Sequence, residues 1–138
     1  EDSEILIESF LDGTEVSVGI IQYQGETKVL PITEIVSEND FFDYEAKYEG
    51  KSQEITPARI STAQKAKVEK VAKKIYDILN ISGFSRSEFI FVNSEPYFIE
   101  INTVPGLTAK SILPQQAKVA GISLAELFES TIEAALQY

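Results

Sequence analysis

The 138-residue chain contains no cysteine, no histidine, no methionine and no tryptophan. Without cysteine there is no disulfide framework and no thiolate chemistry. Without histidine there is no imidazole base and no zinc site of the usual kind. A metal held here would have to be a hard cation on oxygen ligands. No stretch reaches the roughly 18 apolar residues of a membrane span, and no signal-like segment opens the sequence, so no membrane contact is expected. Positive charge is scarce: 12 Lys and Arg against 22 Asp and Glu leave a formal charge of −10. That balance argues against a broad nucleic-acid surface, which needs many cations along a phosphate backbone. It permits a nucleotide, because a few local cations and a metal can hold a triphosphate inside an acidic protein. The missing initiator and the abrupt strand-like opening EILIESFL lead us to expect a piece of a larger polypeptide, with residues 1–138 forming one domain of it.

What is present reads as strands first and helices later. Glu4–Phe10 has the look of a strand and Leu11–Thr14 of a turn. Glu15–Tyr23 is expected to be a second strand, and Gln24-Gly25-Glu26 reverses the chain into a third, Thr27–Val36. Ser37–Pro57 has no sustained period and is expected to be a long polar and aromatic loop, a kind that is usually functional or disordered. Ser61–Asn80 is helical, with Val68, Val71, Ala72, Ile75 and Leu79 in one stripe, lysines around much of the remainder, and Ser61 with Gln64 as a capping box. Gly83 stops it. Phe84–Val92 and Pro96–Asn102 make a hairpin about Asn93–Glu95. A helix follows from Ser111 to Ala120. Ser123 and Glu126 then cap a last helix through Leu136, which is core or an inter-domain contact. The pattern predicts an α+β fold, a mostly antiparallel sheet with helices packed on one side.

The hairpin carries the chemistry. With a three-residue loop, Val92 faces Pro96, Ile90 faces Phe98, Glu88 faces Glu100 and Arg86 faces Asn102. The odd positions Phe89, Phe91, Tyr97, Ile99 and Ile101 then form one apolar face, while Arg86, Glu88, Glu100 and Asn102 converge at the open end of the other. Two carboxylates opposed on one sheet face repel each other unless a cation lies between them or one is protonated. Two carboxylates and an Asn carbonyl suit Mg²⁺, and the Arg86 fork beside them suits a phosphate. A solvated sheet end, with Arg86 paired to Glu88 or Glu100, fits the same spacing, and spacing alone leaves both readings open.

The strings RSEFIF…PYFIEINTVPGLT, FFDYEAKY (41–48) and ESFLDGTEVSV (8–18), in this order, resemble the D-alanine–D-alanine ligases of the ATP-grasp superfamily. The resemblance runs from about Glu4 to Leu136 and covers the C-terminal portion of such an ATP-grasp enzyme; the N-terminal domain and most of the central domain would lie upstream. It implies a cytoplasmic homodimer that uses ATP as co-substrate, with Mg²⁺ or Mn²⁺, to join two D-alanines through an acyl phosphate for peptidoglycan and hence for cell shape. It further implies that Glu8, Phe10 and Leu11 meet the adenine, that Glu15 meets the ribose, and that Glu88, Glu100 and Asn102 ligate the metal. Arg86 would stabilise the transferring phosphoryl group, and the Gly106 N–H would form part of the oxyanion site. Ser111 and Ile112 would hold the carboxylate of the second D-alanine, and Lys47 and Tyr48 would end a loop closing over nucleotide and substrate. Three positions depart from the family pattern: Glu88 stands where Asp is usual, Phe42 where Tyr is frequent, and Lys110 where His is common. The two phosphate-gripping lysines and the Gly/Ser-rich loop of the family are not in this chain, so by itself it is expected to be inactive. A ligase for D-lactate or D-serine as acceptor, and a non-catalytic module that kept the sheet, are the alternatives.

Overall fold

The structure, a computed structural model, describes residues 4–37 and 52–136. The strands are β1 (Thr14–Tyr23), β2 (Glu26–Val29), β3 (Thr33–Ser37), β4 (Ser52–Ile55), β5 (Phe84–Val92) and β6 (Glu95–Asn102). The helices are α1 (Thr62–Ile78), α2 (Ile112–Val119) and α3 (Leu124–Leu136). All strand pairings are antiparallel, in the order β4-β3-β1-β5-β6, with β2 also pairing β1. None of the helices in the described residues is long and apolar enough to cross a membrane.

The α+β class and the antiparallel sheet agree with expectation, but the helices divide between the two faces. The reason lies in β1, whose residues Val16 to Ile21 are all buried. Successive side chains of a strand point to opposite faces, so a strand buried throughout must be covered twice. Val16, Val18 and Ile20 pack with Phe89, Phe91 and the α1 residues Val68, Ala72 and Tyr76. Ile21 packs with Leu30 and with Leu113, Ala117 and Leu127 of the later helices. Both expected capping boxes form. Ser61 Oγ accepts from Gln64 N at 3.2 Å while Ser61 N donates to Gln64 Oε1 at 3.0 Å, and Ser123 with Glu126 makes the same exchange.

Three strand expectations are corrected. Residues 4–10 join no ladder, and Ile5, Leu6, Ile7 and Phe10 are exposed; an alternating pattern makes a strand only where a neighbour completes its hydrogen bonds. The single strand expected at 27–36 is two strands, broken at residues 30–32, because Pro31 has no N–H to give a ladder. The expected long loop contains β4, which pairs with β3 in the register Ile35↔Glu54.

Glu34, on β3, is nearly buried and is held by Arg59 in a forked pair, Nε to Oε2 and Nη2 to Oε1, both at 2.8 Å. The hydrogen bonds from the Arg59 side chain, ahead of the opposing effect of burial, hold the Glu34 carboxyl below the usual range. A carboxyl whose folded pKa is depressed adds stability above its unfolded pKa and loses it as pH falls through the folded one. Glu34→Gln should therefore lower the melting temperature at pH 7. The gap to wild type should close as the pH is taken below 4, near the ordinary carboxylate pKa. Thermal melts across pH check this, and a gap independent of pH would refute it.

Candidate active site

At its turn the β5–β6 hairpin differs from expectation by one residue. Val92 pairs with Glu95, so the loop is the two residues Asn93 and Ser94, at φ of 50° and 67°. Positive φ at both central positions matches the hand of the strand twist. Phe89 consequently pairs with Phe98, their rings edge to face at a centroid distance of 5.7 Å. The register then shifts beyond Phe89, and from Glu88 onward it is Glu88↔Glu100, Ser87↔Ile101 and Arg86↔Asn102. A bulge takes up the odd residue at Ile99. The single apolar face expected for Tyr97, Ile99 and Ile101 is thereby broken: Phe98, not Tyr97, joins the Phe89 face, and Tyr97, Phe98 and Ile99 are each between 43% and 49% exposed. The open end of the hairpin, where the polar residues lie, keeps the expected register.

Cross-strand partners share a face, so Arg86, Glu88, Glu100 and Asn102 lie together. β1 adds Ser17 opposite Glu88, Gly19 opposite Arg86 and Glu15 opposite Ile90. Glu88 is deeply set, its side chain 12% exposed, whereas Glu100 is exposed and Asn102 half-buried. Glu88 Oε1 accepts from Arg86 Nε at 2.8 Å and from Ser17 Oγ at 3.2 Å. Glu88 Oε2 is buried and has no hydrogen-bond partner among the described residues. Burial pushes the Glu88 carboxyl up, and the Glu15 carboxylate adds to this, while Arg86 and Ser17 pull it down. A buried carboxylate oxygen without a donor is costly unless something positive meets it. Among the described residues no three acidic groups cluster into a metal cage of their own. Two carboxylates fall short of such a cage, and a Mg²⁺ ion here would need substrate phosphates to complete its shell. Asn102 Oδ1 accepts from Val104 N at 2.9 Å, which orients the amide and leaves the oxygen a second lone pair.

The second cluster lies in the loop after β6 and at the start of α2. A Cβ on Gly106 would stand 2.7 Å from Ser111 Oγ and 3.3 Å from Ser111 Cβ, so a side chain there would displace Ser111. Ser111 is the N-cap of α2, yet its hydroxyl makes no cap bond and turns to Thr108, taking Thr108 N at 3.2 Å and sharing a proton with Thr108 Oγ1 at 2.9 Å. α2 packs on the face that holds Glu88: a Cβ on Gly19, the partner of Arg86, would stand 2.7 Å from Leu113 Cδ1. The fold thus gathers Arg86, Glu88, Glu100 and Asn102 at one sheet mouth, with Glu15 on the same face, and sets Gly106 against Ser111, which Ile112 follows as the first residue of α2. Glu8 and Phe10 are exposed, Leu11 is half-buried, and these three lie before the sheet begins. Lys47 and Tyr48, with Phe42, lie outside the described residues. Sequence reasoning missed Ser17; its only signal was a small polar residue within the apolar run VSVGII.

The family model described as D-ala D-ala ligase C-terminus matches residues 1–133. A curated D-alanine–D-alanine ligase from Flavobacterium johnsoniae is 70% identical over 136 residues, which are 99% of this chain and 42% of that protein. The crystal structure of a D-alanine–D-alanine ligase from Bacillus anthracis complexed with ATP is similar at 33% identity with a TM-score of 0.78, over 94% of this chain and 42% of that one. The VanG D-Ala:D-Ser ligase from Enterococcus faecalis is similar at 32% identity with a TM-score of 0.75, over 91% and 37%. The chain spans less than half the length of each of these proteins.

Proposed function

Because this chain belongs to the D-ala D-ala ligase C-terminal family, we propose that it is the catalytic C-terminal portion of an enzyme that joins two D-alanines at the expense of ATP. The observation that carries the proposal is the opposed pair Glu88 and Glu100, with Arg86 alongside and a buried Glu88 Oε2 that no described residue meets. Glu88, Glu100 and Asn102 would hold Mg²⁺, which when bound offsets negative charge on the nucleotide phosphates. Arg86 commits its Nε to Glu88 and offers the rest of its fork to the phosphoryl group as that group passes to the D-alanine carboxylate. Ser17 fixes the rotamer of Glu88 by donating to the oxygen that Arg86 also holds. Gly106, with no side chain, exposes its N–H toward the oxyanion that develops when the second amine attacks. Ser111 and Ile112 open α2; the Ser111 N–H is taken by Thr108 O at 2.9 Å, so the Ser111 hydroxyl and the Ile112 N–H of the first turn would meet the carboxylate of the second D-alanine. Glu8, Phe10, Leu11 and Glu15 serve the adenosine end, and Lys47 and Tyr48 close over the site.

The homology to both D-alanine and D-serine ligases makes the acceptor the sharpest open variable, and 70% identity to a D-alanine–D-alanine ligase favours D-alanine. The full-length enzyme should release phosphate from ATP only when D-alanine and Mg²⁺ are both present. D-serine or D-lactate should compete poorly as acceptor. Phosphate release without D-alanine, or preference for another acceptor, would refute this reading.

A further inference from the structure

Gln116 is fully buried at the centre of the contact between α2 and the sheet. Its Nε2 donates to Ser17 O at 2.9 Å and to Thr33 Oγ1 at 3.0 Å, and Thr33 Oγ1 shares a further hydrogen bond with Thr56 Oγ1 at 2.6 Å. Its Oε1 is buried and has no partner among the described residues. A methionine or leucine would fill much the same volume without desolvating an amide. The chain makes room for the amide, since a Cβ on Gly19 would stand 2.3 Å from Gln116 Oε1. No part of the proposed chemistry touches Gln116.

What the amide holds gives it a use. Ser17 is the last β1 residue paired with β3, and β2 takes up the pairing only from Ile20. Gln116 grips the Ser17 carbonyl at that step in the ladder, while the Ser17 hydroxyl grips Glu88. The helix that carries Gln116 begins at the Ser111 N-cap. One residue therefore joins the acceptor end of the site to the strand residue that orients the metal-facing carboxylate.

We propose that Gln116 is a positioning residue for the ligase reaction, fixing the start of α2 relative to Glu88 through Ser17. This rests on the function proposed above. In the full-length enzyme, Gln116→Leu should raise the KM for the second D-alanine and lower kcat, together by about ten- to a hundred-fold, the usual effect of removing a group that orients a ligand residue. The Mg²⁺ concentration needed for half-maximal rate should rise as well, because Glu88 loses its Ser17 hydrogen bond. Gln116→Met, which keeps the unbranched shape and loses only the amide, should recover the melting temperature without recovering the D-alanine KM. A merely structural Gln116 would give the opposite result, with the kinetic constants following the melting temperature back, and that would overturn the proposal. A crystal structure of the Gln116→Leu enzyme gives a readout free of turnover. The Ser17–Glu88 hydrogen bond should be lost and the start of α2 displaced; both unmoved would also overturn it. If wild-type enzyme consumes no D-alanine, the ligase reading fails, and this structural comparison still decides the role of Gln116.

Discussion

Arg86→Met should lower kcat of the full-length ligase by about 10³-fold or more, the scale seen when an arginine aimed at a transferring phosphoryl group is removed. Two losses combine. The transition state loses a fixed positive fork in a sheltered site, where such a group is worth more than in water. Glu88 also loses its 2.8 Å partner, and a buried carboxylate keeps only the weaker Ser17 bond. The variant should therefore melt below wild type as well as turn over slowly. Arg86→Lys separates the two effects. It keeps a charge near Glu88 and should recover most of the stability, but a point charge on a flexible stem does not reproduce the fork, so most of the rate loss should remain. Steady-state phosphate release and thermal melts on both variants check this. A loss of less than tenfold in a folded Arg86→Met enzyme would remove Arg86 from the chemistry.

Glu88→Gln should act with opposite signs on activity and stability. Losing the anionic ligand while keeping the size should reduce kcat by about 10²- to 10³-fold, corresponding to roughly 3–4 kcal/mol of lost transition-state stabilisation. It should also raise the Mg²⁺ concentration needed for half-maximal rate. Without metal, however, the folded protein should be at least as stable as wild type at pH 7. The reason is that Glu88 Oε2 is buried without a donor among the described residues and burial raises the carboxyl pKa. A carboxyl whose pKa is raised on folding counts against the fold at neutral pH, and a neutral amide removes that cost. A site that trades stability for function behaves in this way. Melting curves in chelator, set beside rates titrated with Mg²⁺, test both halves. A large loss of stability in metal-free Glu88→Gln would show that the carboxylate is there for the fold.

The sequence made the open end of the hairpin legible and obscured its turn. The Glu88–Glu100 and Arg86–Asn102 pairings follow from parity counted through a three-residue loop. The chain reaches them through a two-residue turn and a bulge, which add up to the same offset. Parity survives that substitution beyond Ile99 and fails before it, so Tyr97 and Phe98 exchange faces. Helix starts were legible because a capping box is local: Ser61 with Gln64, and Ser123 with Glu126, need only each other. The two-faced sheet was harder to see, although VSVGII, apolar or small at every position, is what a strand covered on both sides requires. The exposed run at Ile5–Ile7 misled because an alternating pattern cannot reveal whether a neighbouring strand is at hand. Gln116 lay in the apolar row of α2 with Leu113 and Ala117. A polar residue at that spacing was the visible sign of a buried amide, and its partners Ser17 and Thr33, 99 and 83 residues upstream, were beyond any local pattern.

The claim on which the account turns is that one divalent ion is shared by the facing acids of β5 and β6 and reaches the nucleotide. A crystal structure of the full-length enzyme with Mn²⁺ and ATP, phased for the anomalous signal of the metal, tests it directly. The account predicts an anomalous peak within ordinary coordination distance, about 2.0–2.3 Å, of carboxylate oxygens from both Glu88 and Glu100, with a phosphate oxygen in the same shell. A peak bound away from Glu88, with its Oε2 still buried and unmet, would contradict it.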